Sequence, residues 1–192
     1  MALRVSKAEL TPEFSESMIK HLGVVPEPAG VLGHNPKVAE AALGLGGKVS
    51  EWDAADESLK SFAHMAVAAQ VGCSWCLDFG YFHAQNENLD MAKASQVPRW
   101  RESEVFTPLE RDVMEYAEAM TNMPLTVTDE LSARLLDRLG PAAMVELTAY
   151  IAFSNFSTRS NVALGIESQG FSSACEIPLA ARSEVSAVAL TP

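Results

Sequence analysis

Residues 56–71, DESLKSFAHMAVAAQV, constrain the fold of this 192-residue chain more than any other stretch. Leu59, Phe62, Ala63, Ala66 and Val67 recur at helical spacing on one face, and Met65, Ala68, Ala69 and Val71 cover much of the rest. A helix that is apolar nearly all round has no face to offer water, so other elements have to enclose it. It is interrupted by His64 and Gln70 and falls short of the ~18 apolar residues that span a bilayer. Gly72 is placed to end it. Cys73 and Cys76 follow, with Cys73 expected in the turn and Cys76 near the start of the next helix, which is expected to run to about Ala94.

The remaining punctuation is helical as well. Thr11-Pro12-Glu13 is a helix start, and Gly23 a stop. Residues 25–28 read as an extended connector. Asn35-Pro36 starts a helix expected to end near Leu43, at the glycines 44, 46 and 47. Pro98-Arg99-Trp100 opens a connector. Thr107-Pro108-Leu109-Glu110 is a capping box, and Asn122-Met123-Pro124 closes its helix. Thr128 caps another, Gly140-Pro141 ends it, and a last helix is expected to about Asn155. No stretch alternates with period two. The expectation is an all-α, compact multi-helix bundle forming a single domain over 1–192. Residues 1–10 read as an untethered lead and 168–192 as an irregular tail, held if at all by Phe171 and Cys175.

Net charge is −11. That argues against non-specific nucleic-acid binding, which needs Lys and Arg against phosphates, and against a basic helix on a membrane surface. The first residues lack the apolar core of a signal peptide, so a cytoplasmic location is expected. Three cysteines make no disulfide framework in a chain of this length.

Three chemistries remain open for Cys73 and Cys76. They can form a redox centre, in which a thiolate attacks a peroxide or disulfide and the second thiol resolves it. They can supply half of a zinc site, which needs two further ligands. The four histidines (His21, His34, His64, His83) show no paired ligand spacing and Cys175 is alone, so neither a metal nor a cofactor is expected. They can also be buried small residues. Cys76, Gly80, His83 and Glu87 share one helical face, and His83 with Glu87 makes an i,i+4 pair able to fix a histidine tautomer. His83 lies about 10 Å along the axis from Cys76, so a water or substrate would have to bridge them. Asp78 reads as a first-turn carboxylate facing the helix dipole. His64 reads as a hydrogen-bonded core histidine able to reach the same pocket.

The order of motifs carries a resemblance: His34-Asn35-Pro36 and a glycine-rich end, a buried helix, GCSWC at 72–76, the Thr107 capping box, then AYIAFSNFSTRSNVALGI at 149–166. Over about residues 18–167 the chain resembles the carboxymuconolactone decarboxylase family, and within it the alkylhydroperoxidase D-like branch. The resemblance implies an all-helical fold assembling into dimers, trimers or hexamers. It implies thiol-dependent reduction of a small-molecule hydroperoxide, with an external dithiol or thiol as reductant. Cys76 would be the attacking thiol and Cys73 the resolving one. The family pattern Glu-x11-Cys-x-x-Cys-x3-His also supplies a Glu and a His to move protons. Here those positions hold Ser61 and Gly80.

The expectation is therefore an alkylhydroperoxidase-like thiol peroxidase with Cys76, Cys73, His83 and Glu87 as site residues, His83 standing in as base. Two alternatives stay open: a repurposed, non-catalytic helical oligomer or ligand-binding protein, and a decarboxylase-type lyase that does not use the cysteines. Arg159 and Asn161 fall in a family-like position, where a helix-end arginine bonding carbonyls is an equally good reading of the first.

Overall fold

The computed structural model describes residues 3–86 and 89–172. All regular structure among them is helical. The order is α1 (Pro12–Leu22), α2 (Glu27–Leu32), α3 (Pro36–Val49), α4 (Glu57–Val71), α5 (Ser74–Asn86), α6 (Met91–Ala94), a 3-10 turn (Val97–Glu102), α7 (Pro108–Thr121) and α8 (Asp129–Leu164). No described helix is long and apolar enough to cross a membrane.

The apolar stretch is the central helix. α4 packs against α5, α7, α8 and the 3-10 turn. Phe62, Ala63, Met65, Ala66, Val67 and Ala68 are all buried. The core closes around them with Val113, Met114 and Ala117 of α7 and Leu135, Leu147 and Ile151 of α8. Asp56 caps α4 by accepting from the Ser58 N–H at 2.8 Å. Thr107 and Glu110 form the expected capping box on α7.

Several boundaries differ from expectation. α3 runs through Gly44, Gly46 and Gly47 and ends at Val49. A Cβ on Gly46 would sit 3.5 Å from the Phe153 ring, while Gly44 and Gly47 face open space. Glycine in a helix costs about 1 kcal/mol relative to alanine; it does not forbid the helix. Residues 25–28 are not wholly extended, because Pro26 is the N-cap of α2 and Pro28 lies in its first turn. α5 stops at Asn86 instead of Ala94, where the short α6 ends. The Pro98 connector is a 3-10 turn. The two final helices form one hydrogen-bonded rod kinked at Gly140 (φ 75°, ψ 169°) and extending past Asn155 to Leu164, where Gly165 adopts the left-handed conformation.

Residues 3–10 are not an untethered lead. The Arg4 N–H donates to the Leu164 carbonyl at 3.0 Å and the Ala8 N–H to the Gly30 carbonyl at 2.9 Å. The Arg4 guanidinium donates to the Ala163 carbonyl at 2.6 Å, covering the end of α8. Lys7 pairs with Glu27 at 2.8 Å. Such tethers join residues far apart in sequence and leave no periodic signal.

Candidate active site around the cysteine pair

Cys73 and Cys76 are joined as a disulfide, with their Cα atoms 5.4 Å apart. The turn between α4 and α5 sets this up. Gly72 has φ 76°, a left-handed conformation that L side chains rarely adopt. Its N–H bonds the carbonyls of Ala68 and Ala69, and the Cys73 N–H bonds Ala68 at 2.9 Å, closing the end of α4. The chain reverses, and α5 begins one residue after Cys73. The Cys76 N–H then donates to Cys73 Sγ at 3.2 Å, so the sulfur satisfies an orphan donor of the first turn as a capping side chain does. Cys76 Sγ receives a different donor, the side-chain amide of Asn161 on α8, at 3.3 Å. Each sulfur has one N–H directed at it, and both cysteines are 1% exposed.

α8 turns a row of polar side chains toward this site. Glu146, Tyr150, Ser154, Thr158 and Asn161 recur at intervals of four and three. Glu146 bonds Lys60 of α4 at 3.2 Å. Lys60 also bonds Glu57 at 3.0 Å and donates to the Trp52 carbonyl at 2.5 Å. Burial works against the Lys60 charge, but Glu57 and Glu146 outweigh it and hold its pKa above the ordinary lysine value. Ser154 Oγ lies 3.2 Å from His64 Nδ1. The His64 ring also bonds the backbone of Cys76. Burial pushes its pKa down to about 4; the Cys76 bond offsets part of this and the nearby His83 adds to it. His64 is therefore neutral near pH 7 and ties α4, α8 and the second cysteine together.

The other expected residues fall differently. His83 stands near the end of α5, half-exposed, with Nε2 3.8 Å from Glu57 of α4. Glu87 lies outside the described residues. Arg159 donates to the Thr121 carbonyl at 2.5 Å and to Asn155 Oδ1 at 3.1 Å, a packing role between α8 and the end of α7. Among the described residues, no group of three or more His, Cys, Asp or Glu gathers as a metal would require.

Asp78 is the largest departure. It is not a solvated first-turn carboxylate but is fully buried, and it accepts five hydrogen bonds from the segment 168–172. Oδ2 takes Ser168 Oγ at 2.8 Å, the Gly170 N–H at 2.8 Å and the Phe171 N–H at 3.0 Å. Oδ1 takes the Ser172 N–H and its hydroxyl, both at 2.7 Å. Burial acts to raise its pKa, but the bonds from Ser172, Ser168 and Phe171 prevail and hold it below the ordinary aspartate value. The start of the expected tail is thus a strap bound across α5. Gln169 extends the strap, accepting from Trp75 Nε1 at 2.8 Å and from the Glu27 N–H at 2.7 Å. Phe171 packs edge-on against Trp75 and Phe79, with centroids 6.0 and 5.7 Å apart. Cys175 lies outside the described residues.

Residues 36–119, a stretch that contains the cysteine pair, match the carboxymuconolactone decarboxylase family. Over that stretch the chain is similar to that family. The Escherichia coli K12 protein YnjA is 35% identical over 123 residues, covering 64% of this chain and 66% of YnjA, just under two thirds of its length. The fold is shared with a variant of the debrominase Bmp8 solved in complex with 2,3,4-tribromopyrrole, at 22% identity and TM-score 0.80 over 93% of this chain and 99% of that one. It is also shared with a peroxidase-related protein described as an alkylhydroperoxidase AhpD core, from Ralstonia eutropha JMP134, at 16% identity and TM-score 0.74 over 88% and 96% of the two chains.

The two positions that depart from the family pattern have a steric context. Ser61 is buried on α4. A Cβ on Gly80 would lie 2.8 Å from Met65 Cγ and 3.6 Å from His64 Cδ2. A side chain at position 80 has no room while Met65 stands there, and the imidazole facing that spot comes from α4. Sequence spacing along α5 alone directed attention to His83. The polar row of α8 was the readable signal for Ser154 and Asn161, since buried polar side chains need partners.

Proposed function

We propose that this protein is a thiol–disulfide oxidoreductase that reduces hydroperoxides. The observation that carries the reading is the Cys73–Cys76 disulfide at the head of α5, with a separate N–H donor on each sulfur. Donors of this kind favour thiolate over thiol. In the cycle, the Cys76 thiolate attacks the peroxide, forming an S–O bond as the O–O bond breaks. The alkoxide leaves with a proton as the alcohol. The Cys73 thiol condenses with the sulfenic acid, water departs and the disulfide returns. An external dithiol supplies the two electrons and two protons that reopen it. His83, near the protein surface and beside His64, exchanges protons with solvent, while Glu87 is the second residue proposed for that exchange.

The test is thiol counting after titration of the reduced protein with an organic hydroperoxide. Two thiols should disappear per peroxide consumed, and Cys76→Ser should abolish consumption. A Cys76→Ser variant as fast as wild type would refute the mechanism. The helix N-terminus directs its N–H at Cys73. Loss of consumption in Cys73→Ser alone, with Cys76→Ser active, would therefore exchange the two roles.

A second reading, thiol-dependent dehalogenation of a small aromatic compound, is favoured by the cluster of rings that Trp75, Phe79 and Phe82 of α5 form with Phe171 of the strap. Release of bromide from a brominated pyrrole by the reduced protein, with no turnover of hydroperoxide, would select it.

A further inference from the structure

We propose that His64 is the proton-holding partner of the Cys76 sulfur. When the Cys73–Cys76 bond opens, the imidazole takes up a proton and faces Cys76 as an imidazolium–thiolate pair. The proposal rests on the reading of the pair as a redox centre, and it gives α4 a task that Ser61 and Gly80 are not equipped to perform.

The geometry is a histidine already fastened to the residue it would serve. His64 is bonded to the Cys76 backbone and to Ser154 of α8. Asn161, two turns further along the same face of α8, holds Cys76 Sγ. The ring of His64 lies over Gly80, where a Cβ would come within 3.6 Å of Cδ2. Met65 fills the place a side chain at 80 would take, its Cγ 2.8 Å from that Cβ, and the imidazole edge borders the same place.

The electrostatics depend on the state of the sulfurs. In the disulfide form, no counter-charge among the described residues acts on His64. From α5, His83 disfavours the imidazolium and Asp78 is engaged by the strap. On α4 and α8, Lys60 is paired with Glu57 and Glu146. Burial pushes the pKa of Tyr150 up, so it stays neutral. A disulfide is neutral and a thiolate is not. Opposite charge at close range in a buried site raises an imidazole pKa by about one to three pH units.

Reduction conserves electrons and protons. A dithiol reductant, as thiolate, attacks Cys73 Sγ; the Cys73–Cys76 bond breaks and Cys76 leaves as thiolate. The second reductant sulfur attacks its own half of the mixed disulfide and releases Cys73. The reductant loses two electrons and two protons and becomes a disulfide. One proton ends on Cys73 as thiol, the other on His64.

The test is an NMR titration of the His64 imidazole in the full-length protein, oxidised and reduced, with the same titration of reduced Cys76→Ser. The expected midpoint is about 4 in the oxidised form, and about one to three pH units higher in the reduced form. In Cys76→Ser it should stay near the oxidised value. Equal midpoints in the two redox forms would overturn the proposal. So would an equal rise in Cys76→Ser, since opening of the pocket would then account for it. As a second readout, His64→Gln should move the alkylation midpoint of Cys76 up toward the ordinary thiol value of about 8.5, and superimposable profiles would again remove His64. Redox-linked titration without peroxide turnover keeps this pairing and removes the peroxidase reading. Peroxide turnover without it removes the pairing alone.

Discussion

Replacing Asp78 by asparagine should destabilise the protein far more than a swap of near-identical shape normally does. The carboxylate has five donors and no solvent. An asparagine keeps one acceptor oxygen and turns an NH2 group toward the remaining donors. Its better orientation leaves the oxygen with Ser168 Oγ and the N–H groups of Gly170 and Phe171, and sets the NH2 against Ser172. The Ser172 hydroxyl can turn to accept, but its backbone N–H is stranded. A buried unpaired donor costs about 1–3 kcal/mol, and the surviving bonds weaken because the acceptor is no longer charged. The expected loss is about 2–4 kcal/mol. At an m-value of about 2 kcal/mol/M this lowers the urea midpoint by roughly 1–2 M. Amides of 168–172 should exchange faster, because the strap opens first. The pH dependence has a definite sign. A carboxylate with a depressed folded pKa contributes fully above its unfolded value, near 3.9, and loses that contribution as pH falls through the folded value. The wild type should therefore approach the variant only below about pH 4. A midpoint within experimental error of wild type at pH 7, with unchanged exchange over 168–172, would refute the clamp.

The same packing sets other expectations. His64, neutral in the fold and ordinary when unfolded, should cost stability as pH falls from 6.5 toward 4. A fall in pKa from 6.5 to about 4 corresponds to a loss of at most about 2 kcal/mol at pH 5, and urea midpoints of His64→Gln should fall less over that range. Gly80→Ala forces a Cβ to 2.8 Å from Met65 Cγ and should cost about 1–3 kcal/mol by overpacking, measurable by thermal unfolding and relieved in part by Met65→Ala. Assembly into a homo-oligomer is expected, because α1 buries no residue and Leu43 and Phe156 are 48% and 52% exposed. Sedimentation should show a species larger than 20.7 kDa, which Leu43→Asp with Phe156→Asp dissociates; a wild-type monomer at high concentration would contradict this.

What the sequence disclosed depended on whether the cause was local. The apolar girth of α4, the Thr107 capping box and the Gly72 turn arise from neighbours within a few positions, and each is where the residues put it. The glycines of α3 misled because a glycine at a helix end and one inside it differ only in whether the next turn stays helical. Asp78 was unreadable for another reason. Its partners lie 90–94 residues away, in a segment without periodicity. A carboxylate two positions after a helix-starting cysteine has an adequate local explanation, so nothing in the spacing demanded a distant one.

The candidate site shows the same division at closer range. Cys73 and Cys76 are placed by their own turn, so their meeting was legible. The groups that address them come from α4 and α8, and only the three-dimensional crossing of those helices decides which side chains arrive. Position 80 makes the point. Along α5, the natural search for a base runs forward from Gly80 to His83, the next histidine on that face. In space, Met65 of α4 fills the room beside Gly80 and its neighbour His64 borders the same spot, where Ser154 and the Cys76 backbone fix the ring. On the proposed pairing, the proton-handling group sits on a different helix from the one that the sequence register of α5 points to. Such a group is then sought among residues that crowd position 80, not among those that share its sequence register.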